Sequence, residues 1–175
     1  MMQYQAKTAA MDVANWFLNK CWQEGEGIPQ CDQLKLYKLV YYAHAWYLAF
    51  TGTALFDEDV EAWPHGPVVR DLYIEFKRFG RKPINRLGQR LHVDQDKQAR
   101  MMALVPQYDG AMEQILNSVW DTYKEYTGIQ LSNSTHDKGE PWDIVSRHYS
   151  LHMKPKIPNE IIEQVFRNKL NAPSS

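Results

Sequence analysis

Cysteine is nearly absent: only Cys21 and Cys31 occur in the 175 residues, with no CxxC pair and no second cluster. Neither a zinc ribbon nor a disulfide framework is signalled, and reduced, structural thiols are the expectation. Long apolar runs are missing too. The longest, Leu39 to Phe50, is interrupted by His44 and is too short to span the ~30 Å of a bilayer. The opening "MMQYQAKTAAMD" lacks the apolar centre of a signal peptide, so a cytoplasmic protein with no membrane partner is expected. Charge of one sign is lacking: 20 basic residues face 21 acidic ones for a net charge of −1, and no long-range field recruits nucleic acid or acidic lipid. No repeat, low-complexity tract or Pro/Ser-rich linker divides the chain. Residues 1–175 are therefore expected to form one domain, with "NAPSS" as a frayed tail.

What is present is apolar and aromatic. Hydrophobic residues make up 44%, with six Trp and ten Tyr, more than a solvating chain carries. The spacing predicts a first helix capped by Thr8, with Val13, Trp16, Phe17 and Cys21 inward, stopped by Gly25 and Gly27. Asp32 caps a second helix, "QLKLYKLVYYAHAWYLAFTG", apolar on almost every side after Lys38, as befits a helix surrounded by others. A short strand or hairpin is expected from Val60 to Trp63, and a third helix opens at Pro67 and ends at Gly80. Residues 81–107 read as a polar loop insertion with a short strand near Leu104 and Val105. Asp109 caps the next helix, which Gly128 closes; a turn-rich stretch follows, then helices from Pro141 and from Ile157 to Leu170. The fold class is mainly α: a compact helical domain around a central buried helix, with a small β-hairpin or short strands.

Two corners carry the chemistry. In "EAWPHGPVVRDLYIEF", Pro64 biases Trp63 to an extended conformation, Gly66 supplies freedom, and Pro67 starts a helix whose first amides, at Val68 and Val69, offer an anion cradle. "THDKGEPW" repeats the recipe with Thr135, His136, Gly139, Pro141 and Trp142. If the corners meet, His65 and His136 could act as general acid and base of a hydrolase or transferase on a phosphorylated substrate. Against this, no nucleophile, metal-ligand spacing or GxxxxGK loop is evident, and no cofactor or metal is implied. His44, among Tyr37, Tyr41 and Leu48, reads as a hydrogen-bonded core histidine. His148 and His152, four apart near Asp143, lack a supporting third ligand. The basic loop from Arg81 to Arg100 has no interleaved aromatics to stack bases, so it reads as a solvated excursion and no nucleic-acid partner is expected.

The run "LYKLVYYAHAWYLAFTGTALFDEDVEAWPHGPVVRDLYIEFKRFG", Leu36 to Gly80, followed by "THDKGEPW", resembles the Panacea domain, the SocA-like antitoxin family that includes phage-associated proteins. With "DVANWFL" the resemblance extends from about Asp12 to Phe166. It implies a mainly helical, non-enzymatic antidote that binds a toxin encoded by an adjacent gene. The toxin's chemistry does not carry over, since the family neutralises unrelated kinds. No added DNA-binding segment of the kind that larger members carry is expected from the residues that bear the resemblance. An alternative within the class is an adaptor that delivers the toxin to a cellular protease. Aromatic anchors dominate buried interfaces. The contact residues expected are Trp63, His65, Gly66, Pro67, Val68 and Tyr73 on the first corner and Thr135, His136, Pro141 and Trp142 on the second.

Overall fold

The computed structural model describes residues 8–173. Ser174 and Ser175 of the expected tail lie outside them, and Asn171 ends a helix. The chain is mainly α-helical, with seven α-helices and two small antiparallel strand pairs among the described residues.

Helix α2, Gln33–Thr51, is the centre. The Asp32 carboxylate accepts the Lys35 amide at 2.8 Å, and Gly52, at φ 70°, closes the helix by donating its amide to the Leu48 carbonyl. Between these caps Leu36, Leu39, Val40 and Ala43 are fully buried. Each large aliphatic side chain so buried contributes roughly 1.5–3 kcal/mol. Helix α1 (Ala10–Glu24), α4 (Gly110–Tyr123), α5 (Gly128–Thr135) and α7 (Asn159–Asn171) all pack on α2. His44 lies inside, stacked on Phe56 and hydrogen-bonded through Nε2 to Asn159 Oδ1 at 2.9 Å, as its spacing suggested.

Several boundaries differ from the sequence reading. Thr8 does not cap α1: its hydroxyl shares a 2.7 Å hydrogen bond with that of Tyr108, and Glu58 accepts the Ala10 amide instead. Pro67 does not open a helix. It sits in strand β2 (Gly66–Val69), paired with β1 (Val60–Trp63) around the two-residue turn Pro64–His65. Proline is tolerated there because the sheet has only two strands and β2 lies at its edge. Helix α3, Arg70–Phe76, starts three residues later than expected and tightens into a 3₁₀ turn before Gly80. The far side of β1 is met by the segment before α7, where Ala62 donates to the Pro155 carbonyl and Ile157 to that of Val60, both at 2.7 Å. Ile157 is therefore extended, and α7 begins at Asn159.

The 81–107 segment is not bare loop, and its strands are not at Leu104 and Val105. Strands β3 (Arg90–Val93) and β4 (Ala99–Met102) pair in a largely exposed hairpin. Buried Asn15 anchors its base, donating to the carbonyls of Gly88 and Leu104 at 2.9 Å and accepting the Gly88 amide at 2.7 Å. Asp109 occupies the position before α4, but its side chain makes no cap bond among the described residues. Gly128 opens α5 instead of closing α4, with Thr127 and Gln130 forming a reciprocal capping box. Its lack of a side chain is required, because a Cβ would fall 2.7 Å from Asp32 Oδ1 and from the Lys35 amide. Helix α6, Pro141–His148, starts at the proline as expected. Among the described residues no helix is long and apolar enough to cross a membrane.

Candidate functional site

The two corners meet. Trp142, at the start of α6, donates its indole N–H to the Trp63 carbonyl at 2.7 Å, and Ser132 on α5 donates to the His65 carbonyl at 2.6 Å. Thr135 donates to the Ser132 carbonyl at 2.6 Å, which fixes its hydroxyl under Gly66. Gly66 has φ 110°, and a Cβ on it would stand 2.7 Å from Thr135 Oγ1 and 2.9 Å from Lys38 Nζ. Backbone conformation and space both demand glycine here. The hairpin tip is thus stitched to the end of α5 and the start of α6 through its own carbonyls.

Lys38, projecting from α2 beneath this junction, is fully buried and donates to the Pro67 carbonyl at 3.0 Å. Desolvation lowers its pKa to about 7. Sequence reading assigned Lys38 no role, though a lysine within an otherwise apolar helix was the available signal. Ser132 was missed as well, hidden in a run of small polar residues. The amides of Val68 and Val69 belong to a strand, so the anion cradle expected at a helix start is absent.

His65 is exposed on the turn, while His136 stacks on the Trp142 indole with ring centroids 3.9 Å apart. His136 Nε2 is buried with no hydrogen-bond partner among the described residues. Burial, then the nearby Lys38 and His65 charges, hold its imidazole pKa below the usual value. Pro141 is buried at the first turn of α6. The His136 ring is placed by its packing on Trp142, whereas at His65 it is the backbone carbonyl that is held.

Beside the junction lies a groove of about 580 Å3, walled by Tyr37, Trp63, Val68 and Tyr73, with His65, Arg81 and Ile129 at its mouth. Trp63 is held in place. Its indole N–H donates to Glu61 Oε2 at 2.7 Å, its ring meets Tyr73 edge-on at 4.7 Å, and Lys154 Nζ stands 4.0 Å from its centroid. Glu61 in turn holds Arg70 through paired hydrogen bonds near 3 Å. Of the expected contact residues, Trp63, His65, Val68 and Tyr73 line this groove, whereas Gly66, Pro67, Thr135, His136, Pro141 and Trp142 form the joint behind it.

Elsewhere, Cys21 and Cys31 are free thiols on the wall of one small cavity of about 190 Å3. The hydrogen bond between them, aided by Lys35, lowers the Cys21 pKa against its burial. The same bond and full burial raise that of Cys31. Among the described residues no cluster of three or more His, Cys, Asp or Glu is placed to hold a metal.

A family model described as "Antitoxin SocA-like, Panacea domain" matches residues 36–143, from α2 through the start of α6, which includes both corners. A curated relative, Antitoxin SocA of Caulobacter vibrioides (strain NA1000 / CB15N), is 30% identical over 162 residues, covering 90% of this chain and 82% of that protein. No solved structure matches the chain.

Proposed function

The chain belongs to the antitoxin SocA-like, Panacea domain family, and on that premise we propose that it is the antidote of a toxin–antitoxin pair, neutralising a cognate toxin by direct protein contact and without catalysis. One observation supports the reading: the side chains of Trp142, Ser132 and Lys38 end on backbone carbonyls of the hairpin tip, those of Trp63, His65 and Pro67. Residues spent in this way shape a surface and are not held in reserve for a reacting substrate. We assign the contact to Trp63, His65, Val68 and Tyr73. Gly66, Pro67, Thr135, His136, Pro141 and Trp142 set the shape behind them.

Co-expression with the product of the adjacent reading frame tests this. The product alone should stop growth, and growth should return when this chain is present. A harmless neighbour, or one still lethal beside this chain, contradicts the reading. An unchanged toxin half-life during rescue assigns the effect to blocking, and a shortened one to delivery to a protease. The double variant His65→Gln/His136→Gln should bind the toxin more weakly yet still rescue at raised expression, whereas an enzyme relying on both imidazoles would lose activity altogether.

A further inference from the structure

The groove beside the hairpin tip has walls and a rim of different chemistry. Its walls are aromatic and pre-set: Tyr37 donates its hydroxyl to Gln33 Oε1 at 2.9 Å, Gln33 donates to the Gly80 carbonyl at 2.7 Å, and Trp63 is locked between Glu61 and Tyr73. At about 580 Å3 the groove is of a size that holds several side chains. Ile129 stands at its edge 67% exposed. A rigid apolar concavity loses little entropy when filled and gains from each apolar group it takes from water.

Three cations stand at the groove's mouth or against its aromatic walls. Lys154 lies over the Trp63 ring, Lys77 lies 5.7 Å from the Tyr73 centroid, and Arg81 lines the mouth. None of these three has a carboxylate partner among the described residues. Of the nearby anions, Glu61 is paired with Arg70, and Asp32, which lines the groove and caps α2, is one carboxylate against three cations. The contrast with the neighbouring basic segment is informative. There Arg86, Arg90 and Arg100 are each bound to a carboxylate, of Glu75, Asp12 and Asp94 respectively. Arg86, Arg90 and Arg100 are thus paired internally, whereas Arg81, Lys77 and Lys154 are not paired with a carboxylate among the described residues.

We propose that the groove receives an acidic segment of the partner polypeptide, with an apolar or aromatic side chain seated against Tyr37, Trp63 and Tyr73 and flanking Asp or Glu carboxylates on Lys77, Arg81 and Lys154. The proposal rests on the antidote reading and gives its partner a chemistry. Nucleic acid fits less well, because apolar walls and three dispersed cations provide no track for a phosphate backbone.

The test uses the full chain and the product of the adjacent reading frame, both as folded protein and as overlapping 15-residue peptides on a membrane. The peptides captured should be acidic and carry an aromatic or large aliphatic residue. Binding should weaken in 0.5 M NaCl. The variant Lys77→Glu/Arg81→Glu/Lys154→Glu should raise Kd by about 30-fold or more and lose the salt dependence, with its circular dichroism unchanged. Lys97→Glu/Lys138→Glu, reversing exposed charges elsewhere, should leave Kd as it was. Equal affinity of the groove variant, or capture of neutral or basic peptides, overturns the groove proposal and leaves the antidote standing. Absence of binding between the two unaltered proteins removes both. Retention of a single-stranded 30-mer oligonucleotide by the unaltered chain, lost in the groove variant, overturns the proposal in favour of nucleic acid.

Discussion

Lys38 places an ammonium group where no water reaches it, beneath the junction of the two motifs, with the Pro67 carbonyl as its hydrogen-bond acceptor. Its pKa falls from 10.5 in the unfolded chain to about 7. Between these values the unfolded state binds more protons, so the folded state gains stability as pH rises and loses it as pH falls toward 7. Lys38→Met removes this dependence. Chemical denaturation at several pH values should find the variant more stable than the parent near neutrality, with a gap that shrinks by on the order of 4 kcal/mol as pH approaches 10.5. A pH-independent gap would contradict the burial of the charge. Gly66→Ala acts at the same place in the opposite sense. A positive φ and a Cβ 2.7 Å from Thr135 Oγ1 should cost about 2–4 kcal/mol in denaturation midpoints. The sequence flagged Gly66 as a source of backbone freedom, yet its second reason, contact with Lys38, depends on a partner 28 residues away that no local pattern reveals.

The helices with an apolar stripe were legible, because periodicity reports the buried face directly: α2, α4 and the inner face of α7 follow it. The elements misread are those whose local chemistry favours something else. Half of helix α5 is Ser, Asn and Thr, residues that cap and turn, and its capping box together with packing against α2 makes it helical. Strand β4 shows no alternation, and β3 alternates over only four residues with its apolar members Leu91 and Val93 on the exposed side, too short a pattern to announce a strand. Pro67 suits a helix start and an edge strand equally well, and pairing with Ala62 decides for the strand. The joint between α6 and β1 is one hydrogen bond and its packing. Trp142→Phe keeps the packing and deletes the donor, so a loss of about 1–2 kcal/mol is expected by thermal unfolding. Partner affinity should fall with it if the tip must be held in place.

Across the whole molecule, a near-neutral charge conceals a local pattern. Arg86, Arg90 and Arg100 are spent on internal carboxylates, while Arg81 lines an aromatic groove and Lys77 and Lys154 pack on its walls, Tyr73 and Trp63. The sequence named both motifs and most of the tip residues, but not the division of labour between them. Whether a residue lines the groove or holds the tip is decided by what it meets in space, and Trp63 on the wall and Trp142 at the joint look alike on paper. Nor did it point to Tyr37 and Ile129, which reach the groove from α2 and α5 and belong to no corner.

The claim that both motifs serve one protein-binding face is tested most directly by hydroxyl-radical footprinting of this chain, alone and with the product of the adjacent reading frame bound. His65, Tyr73 and Ile129 should lose reactivity on binding, while Val93 and Met101 on the outer hairpin keep theirs. Unchanged reactivity at the groove, with protection at the outer hairpin instead, would contradict the account.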